Sequence, residues 1–254
     1  MRIVFCIMYK DKKIIVVLPA YNAASTLEMT VHEIPDLVDE IILVDDKSDD
    51  ATVAVAKRLG LFVFQRAENG GYGANQKNCY RLALDHGADI VVMLHPDYQY
   101  DPKLINFFVK FIGDNFFDVM LGTRIRSRRE ALAGGMPLYK YLSNRFLTAF
   151  ENMVLGQNLG DFHSGFRVYK RKVLEGISFK NNSDDFIFDT EFLAQAVYRG
   201  FRIADIPIPT RYFAEASSIN FRRSFVYGIS CLGVMAKYFL QAIRIGRFKI
   251  FEKC

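Results

Sequence analysis

Apolar and polar positions alternate along the first 123 residues in blocks. Short runs rich in Val, Ile and Leu are each followed by a polar turn and then a segment of helical period. The runs predict strands over residues 14–18, 41–44, 61–64, 90–94 and 119–121. Between them, Ser25 and Glu28 form the spacing of a capping box, opening a helix that stops near Pro35. A second helix over 51–59 closes at Gly60, and a glycine-rich loop over 69–73 leads into a third that ends near Gly87. Strand–helix alternation of this kind predicts an α/β fold, a mainly parallel sheet with helices on both faces. After Thr123 the pattern changes. Residues 124–135 form a basic loop with a glycine pair, and 137–155 a helix. Residues 166–169 are strand-like before a short helical turn, 186–198 form a helix stopped by Gly200, and 201–207 are strand-like ahead of a basic C-terminal helix. No repeat, low-complexity tract or linker divides the chain, so one domain is expected.

Composition agrees with a packed core, since 51% of the 254 residues are hydrophobic, which excludes a disordered chain. The net charge of +5 is unevenly placed. From residue 221 onward, Arg222, Arg223, Lys237, Arg244, Arg247, Lys249 and Lys253 face only Glu252. A basic tail interleaved with aromatics fits an anionic membrane surface better than a nucleic-acid groove, and no nucleic-acid partner is expected. Residues 224–243 are apolar for 20 positions but interrupted by Lys237 and Gln241, which predicts an amphipathic or packed helix instead of a spanning one. Cys6, Cys79, Cys231 and Cys254 form no CxxC pair, so their spacing suggests neither a zinc site nor a disulfide framework and points to a reducing cytoplasm. The opening MRIVFCIM is too short to span a bilayer and lacks a cleavage site; a leader or an extra edge strand is expected there.

In an open parallel sheet, ligands bind beyond the carboxyl ends of the strands. The loops that meet there supply Tyr21 and Asn22, then Asp45 and Asp46, then 69–73, then Asp97 and Gln99. In the segment VVMLHPDYQYDP (91–102), an apolar run ends in oxygen-bearing side chains. Asp97 and Gln99, two apart in extended chain, turn to one side and can hold a hard divalent cation. Asp101 followed by Pro102 reads as an N-cap and first helical position, and the competing reading is that Asp97 and Asp101 are simply loop acids. Asp46 can accept hydrogen bonds from a nucleobase or ribose. Gly70, Gly71 and Gly73 allow close backbone approach and Lys77 can reach a phosphate, although an ordinary tight turn would use the same glycines.

These segments, in this order, resemble family 2 glycosyltransferases of the GT-A fold, in particular the dolichol- or polyprenyl-phosphate mannose synthase-like branch. VVLPAYN (16–22) is similar to the opening nucleotide-binding motif, ILVDDKSDDAT (42–52) to VDDxSxDxT, and NGGYGANQK (69–77) to the glycine loop. HPDYQYDP (95–102) is similar to the DADxQxxP signature around the metal, DFHSGFRVYKRKVL (161–174) to the DxxSGFR element, and residues 188–208 to the helix and strand that follow it. Two positions depart: Ala23 replaces an acidic residue, and His95 stands where the first Asp of the DxD element belongs. The resemblance implies inverting transfer of a sugar from a GDP- or UDP-linked donor, with Mg2+ or Mn2+ as cofactor held by Asp97 and Gln99. It implies donor contacts from Pro19, Ala20, Tyr21, Asn22, Asp46, Gly71, Lys77, His95 and Asp97 within a nucleotide-sugar half over 14–123. It also implies an acceptor half over 124–220, with Arg124, Arg145 and Arg167 on the acceptor, and a basic amphipathic helix over 221–254. Asp97 and Asp161 are the expected catalytic carboxylates, with Glu191 the second choice after Asp161. Arg211 and Ser217 fall in a late segment that closes over the donor. The implied acceptor is a polyprenyl phosphate at the cytoplasmic membrane face, met through peripheral contact. A hydroxyl acceptor on a glycan or lipid, or a nucleotide-sugar-binding module without catalysis, are the alternatives.

Overall fold

β1 (Ile14–Ala20) is buried along its whole length, and its alternate side chains enter two separate cores. Ile15 and Val17 pack on one face of the sheet, while Ile14, Val16 and Leu18 pack on the other. A strand covered on both faces belongs in the middle of a parallel sheet. The computed structural model describes residues 9–125, 127–133, 135–211 and 221–252. In chain order the next elements are α1 (Ala24–His32), β2 (Glu40–Asp45), α2 (Thr52–Arg58), β3 (Phe62–Gln65), α3 (Tyr72–Asp85) and β4 (Ile90–Leu94). A 3-10 turn over Pro102–Leu104 leads into α4 (Ile105–Gly113) and β5 (Val119–Thr123). The second part contains α5 (Arg128–Ala133), α6 (Leu138–Leu155), β6 (Phe166–Lys170), α7 (Arg171–Gly176), α8 (Phe188–Tyr198), β7 (Ile203–Pro207) and α9 (Phe221–Ala242). The seven strands form one sheet in the order β3-β2-β1-β4-β6-β5-β7, with β6 antiparallel to both neighbours and the other pairings parallel. Tyr80 of α3 and Phe188 and Phe192 of α8 fill one core; Leu27 of α1 and Phe108 and Ile112 of α4 fill the other.

Three local expectations change. The capping box at Ser25 does not form: α1 begins at Ala24, and the N–H groups of Ala23 and Ala24 donate to Thr52 Oγ1 (2.8 Å) and Asp50 Oδ2 (3.0 Å). The helix is capped by the neighbouring loop, a contact that local spacing cannot reveal. The basic loop over 124–135 carries a short helix, α5, with Ala131 tucked into a small cluster beside Ile125 and Met136. The C-terminal helix stops at Ala242. The chain then turns at Arg244 (φ 63°) so that a 3-10 turn over Lys249–Phe251 buries Ile250 and Phe251, the latter ring 5.1 Å from Tyr198 of α8. Gln241, one of the polar interruptions, serves this turn by accepting from Phe248 N–H and donating to Tyr198 Oη.

Among the described residues, one helix, Arg222–Ala242, is long and apolar enough to cross a membrane. Cys231, Val234 and Met235 are buried, on a helix that packs against α6 and α8, while Phe225, Val226, Ile229, Phe239 and Ile243 face outward. α6 adds a second exposed apolar row at Leu138, Leu142, Phe146 and Met153, spaced four to seven apart along one side. The expected leader or edge strand over 1–8, together with Cys6, Ser217, Lys253 and Cys254, lies outside the described residues.

Candidate active site

The carboxyl ends of β1, β2 and β4 open into a cavity of 660 Å³. Pro19, Ala20, Tyr21, Asn22, Asp46, Gly71, His95, Asp97 and Gln99 line one side. Tyr72, Arg124, His163, Phe186, Asp189, Arg223 and Tyr227 line the rest. Most of the donor-side residues expected from the sequence therefore meet in one place.

The loops that follow β1, β2 and β3 are fastened to one another. Asn22, at φ 52°, donates its N–H to Ser48 Oγ (2.8 Å) and accepts Asp49 N–H on Oδ1 (2.9 Å). Asp45 accepts from both the N–H and the hydroxyl of Ser48. Asp46 is buried, and its carboxylate accepts from Arg66 Nη1 (2.5 Å) and from the N–H groups of Gly70 (3.0 Å) and Gly71 (3.1 Å). The acidic motif thus holds the glycine loop in place beside the cavity. Tyr21 stands at the mouth, 54% exposed.

The glycines serve a different neighbour from the expected phosphate. Gly71 has φ 91°, and a Cβ there would sit 2.8 Å from the Asp184 carbonyl; at Gly73 it would collide with the Ser183 carbonyl. The close approach is to the chain segment ahead of α8, and Gly73 N–H donates to Asp184 O (2.8 Å). Lys77, expected to reach a phosphate, lies outside the cavity lining: its ammonium donates to the Asn182 carbonyl and to Asp184 Oδ1 (2.8 Å). One turn down α3 from the loop, it points at the same segment that the glycines touch.

After β4 the chain does not stay extended, so the expected two-residue alternation is replaced by a turn. Tyr98 takes φ 57° and Gln99 N–H donates to Asp97 Oδ1 (3.1 Å). Both side chains nonetheless line the cavity. Asp101 caps the following 3-10 turn through Lys103 N–H, as its place before Pro102 predicts. The 207–211 segment is stitched onto this turn: Arg211 N–H donates to Gln99 O (2.9 Å), and its guanidinium lies 4.6 Å from the Tyr98 ring centre. His95 stacks on Tyr72 at 5.6 Å and presses against Gly165, where a side chain would collide with the imidazole. Burial lowers its pKa against the opposing pull of Asp97 and Asp189, so the ring is neutral.

The three expected acceptor arginines separate. Arg124 lines the cavity and donates through Nε to Asp161 Oδ2 (2.7 Å). Arg145 does not line it; its guanidinium bonds Asn144 Oδ1 and the Gly160 carbonyl, bracing the loop ahead of β6. Arg167 is completely buried, donating to the carbonyls of Ser164 (2.7 Å) and Phe162 (2.8 Å) and pairing with Asp189 Oδ2 (3.3 Å). An arginine enclosed in this way cannot touch an acceptor. It sits on β6, paired between β4 and β5, where every side chain but Lys170 is buried.

Of the carboxylates, Asp161 is inaccessible and accepts from Arg124, from Asn144 Nδ2 (3.0 Å) and from His163 N–H (2.9 Å). Burial alone would raise its pKa, but Arg124, with His163 and Asn144, outweighs it and holds the group well below the usual carboxylate range. Such a carboxylate fixes a cation and is a poor proton acceptor near neutrality. Glu191 faces away from the cavity, accepting Ser183 N–H (2.6 Å), with its pKa raised by burial. Asp189, two residues earlier on α8, does line the cavity. Its Oδ2 accepts from Tyr72 Oη (2.7 Å), and its buried Oδ1 has no hydrogen-bond partner. Sequence reasoning passed over Asp189 although it stands in the first turn of α8, and it read Arg223 only as part of a basic tail. Tyr72, Phe186 and Tyr227 carried no local signal, because aromatic residues at helical spacing read as core.

The model of Glycosyl transferase family 2 matches residues 15–178 of the chain. The chain is 29% identical over 215 residues to a dolichyl-phosphate hexose transferase of Haloferax volcanii, covering 84% of this chain and 89% of that protein. It is 26% identical over 212 residues to the polyprenol monophosphomannose synthase of Mycolicibacterium smegmatis, covering 78% and 77%. Among solved structures, glucosyl-3-phosphoglycerate synthase of Mycobacterium tuberculosis, in complex with Mn2+, uridine diphosphate and glucosyl-3-phosphoglycerate, superposes with a TM-score of 0.70 at 21% identity. That likeness covers 90% of this chain and 80% of the other, and shows a common fold. The sheet flanked by helices is the GT-A arrangement. The chain belongs to glycosyltransferase family 2 and resembles its dolichol- and polyprenyl-phosphate sugar transferase branch.

Proposed function

We propose that this glycosyltransferase moves a sugar, with inversion, from a nucleotide diphosphate sugar to a polyprenyl phosphate at the cytoplasmic membrane surface. The observation that carries the reading is the placement of Arg223. This cationic side chain lines the cavity from the start of α9, a helix whose outward residues Phe225, Val226 and Ile229 form an apolar surface. A phosphate on a long apolar chain matches both: the chain lies along α9 and α6, and the headgroup meets Arg223 and Arg124. Basic residues next to an apolar helix face also attract anionic lipid, by about 1 kcal/mol each.

The donor half over 14–123 binds the nucleotide between the turn 19–22 and the Asp46-anchored glycine loop. A hard divalent cation, Mg2+ or Mn2+, fits the cavity's oxygen donors: Asp97 and Gln99 both line it, and Asp189 presents a buried oxygen without a hydrogen-bond partner. When bound there, such an ion offsets charge on the leaving diphosphate. His95, neutral and stacked on Tyr72, forms wall and hydrogen-bonding surface beside these oxygens, since neutral imidazole suits softer ions. Asp161 positions Arg124, and no side chain need act as base, because a phosphate monoester with a second pKa of about 6 arrives ionised. Attack by a phosphate oxygen on the anomeric carbon breaks its bond to the donor diphosphate and forms a sugar–phosphate ester.

The test is product identity. Purified protein with Mn2+, a panel of labelled GDP- and UDP-sugars, and vesicles containing either polyprenyl phosphate or the corresponding polyprenol should form an alkali-stable, acid-labile lipid product from the phosphate alone. Equal transfer to polyprenol would replace this reading with the hydroxyl-directed one.

A further inference from the structure

Behind the cavity wall made by His163 and Tyr227, three side chains from distant parts of the chain converge. Glu151 comes from α6, His163 from the loop ahead of β6, and Cys231 from α9. One ligand atom of each lies within 4.8 Å of the other two. Glu151 is completely buried, and neither of its carboxylate oxygens has a hydrogen-bond partner. His163 Nε2 lies 3.2 Å from Glu151 Oε2 yet is not aligned as a hydrogen bond to it. The other ring nitrogen, Nδ1, is 2.8 Å from Tyr227 Oη.

The arrangement has a chemical consequence. Nε2 stands 3.2 Å from a carboxylate oxygen without the alignment of a hydrogen bond, and in the tautomer whose Nδ1–H donates to Tyr227 Oη it presents a lone pair there, so that two lone pairs repel unless something positive lies between them. A proton would serve one oxygen of Glu151, leaving the second buried oxygen and the thiol without a role. A metal ion takes all three. Two bonds of about 2.05 Å at a tetrahedral angle put a nitrogen and an oxygen about 3.3 Å apart, close to the separation of His163 Nε2 and Glu151 Oε2. The surroundings are also those of ligands: the Nδ1 contact to Tyr227 Oη orients the ring, and Thr190 Oγ1 lies 3.5 Å from Cys231 Sγ and 3.3 Å from Tyr227 Oη.

We propose that Glu151, His163 and Cys231 form a binding site for a zinc-like divalent transition ion, separate from the oxygen-lined cation site of the donor crevice, that ties α9 to α6 and to the acceptor side of the cavity. Three protein ligands with one thiolate suit zinc, and water takes the fourth position. Binding breaks the Cys231 S–H bond, forms the metal–thiolate bond and releases one proton to solvent. Before binding, burial holds the thiol neutral, pushing it up to about 12. The cysteine spacing carries no sign of this site because its ligands come from three separate elements.

The experiment uses the full chain, purified under reducing conditions, stripped with a chelator and titrated with Co2+ alone. One equivalent should develop a thiolate-to-cobalt charge-transfer absorption in the near ultraviolet and tetrahedral visible bands, both abolished by Zn2+. Cys231→Ser should lose the charge-transfer absorption, and Glu151→Gln should weaken binding at this site by at least roughly 10-fold. Cobalt at the Asp97 site would have oxygen ligands, give no thiolate absorption and persist in Cys231→Ser, so the two sites are told apart. Added Zn2+ should also raise the melting temperature of the stripped wild type by more than that of Cys231→Ser, with the two proteins giving matching circular dichroism. Absence of thiolate absorption in the folded wild type, or its survival in Cys231→Ser, overturns the proposal.

Discussion

The two sides of the cavity, donor and acceptor in the proposed function, use the same chemistry, carboxylates against N–H groups and cations, to different ends. On one side Asp46 and Asp50 accept backbone N–H groups of neighbouring loops, with partners about one strand–helix unit apart, while Asp45 accepts from Ser48 of its own loop. On the acceptor side Asp161 and Asp189 hold guanidinium groups, Arg124 and Arg167, inside the body of the protein. One arginine of the acceptor side reaches the cavity and another is sealed away, although both were drawn from equally basic motifs. A charged residue in a motif reveals its role only when its partner is known.

The largest expected effect separates those two arginines. Arg167→Met leaves Asp189 buried without its cationic partner and should cost about 3–5 kcal/mol of stability in urea unfolding, while the acceptor KM of the remaining folded enzyme changes less than about twofold. A large rise in acceptor KM without loss of stability would move Arg167 into the site. Next, Asp97→Ala should reduce kcat by about 100- to 1,000-fold at saturating donor and a fixed Mn2+ concentration, the scale for losing stabilisation of developing charge. Unchanged turnover would remove Asp97 from the cation site.

Asp161 gives a pH-dependent contrast. Its folded pKa is depressed, so between that value and the unfolded value of about 3.9 the unfolded chain binds a proton that the folded chain does not. Its stabilising contribution is complete above about pH 4 and is lost as pH falls through the folded value. Asp161→Asn should therefore destabilise near neutrality by about 2–3 kcal/mol and flatten the acid limb of the stability curve; an unchanged limb would mean that Arg124 does not hold this group. The smallest effect belongs to Lys77→Ala. Loss of its contact to Asp184 should cost no more than about 1 kcal/mol with the donor KM unchanged within experimental error, and a tenfold rise in that KM would restore its expected phosphate role.

The fold was legible because β1, β2 and β4 are apolar runs bounded by turn chemistry, and their period is strong enough to place each within a residue or two. The convergence of the loops at the cavity was legible for a related reason: their residues are clustered after predicted strands. The remainder depended on contacts distant in sequence. The Ala24 cap comes from Asp50, the glycines of the 69–73 loop answer to Ser183 and Asp184, and Arg145 braces the Gly160 loop. Asp189 and Glu191 show the limit most clearly. Two residues apart on one helix, they point to different surroundings, and only the packing of α8 decides which carboxylate faces the cavity.

The proposed joining of a lipid surface to the cavity rests on Arg223, which lines the cavity from an exposed turn of α9 and can be changed without opening the core. Initial rates over a range of polyprenyl phosphate concentrations in vesicles, at fixed saturating donor, should show the acceptor KM of Arg223→Ala rising by about 10-fold, the scale of one lost charge-assisted contact of about 1.5 kcal/mol, with the donor KM unchanged. Equal changes in both constants, or none in either, would contradict the placement of the acceptor phosphate beneath α9.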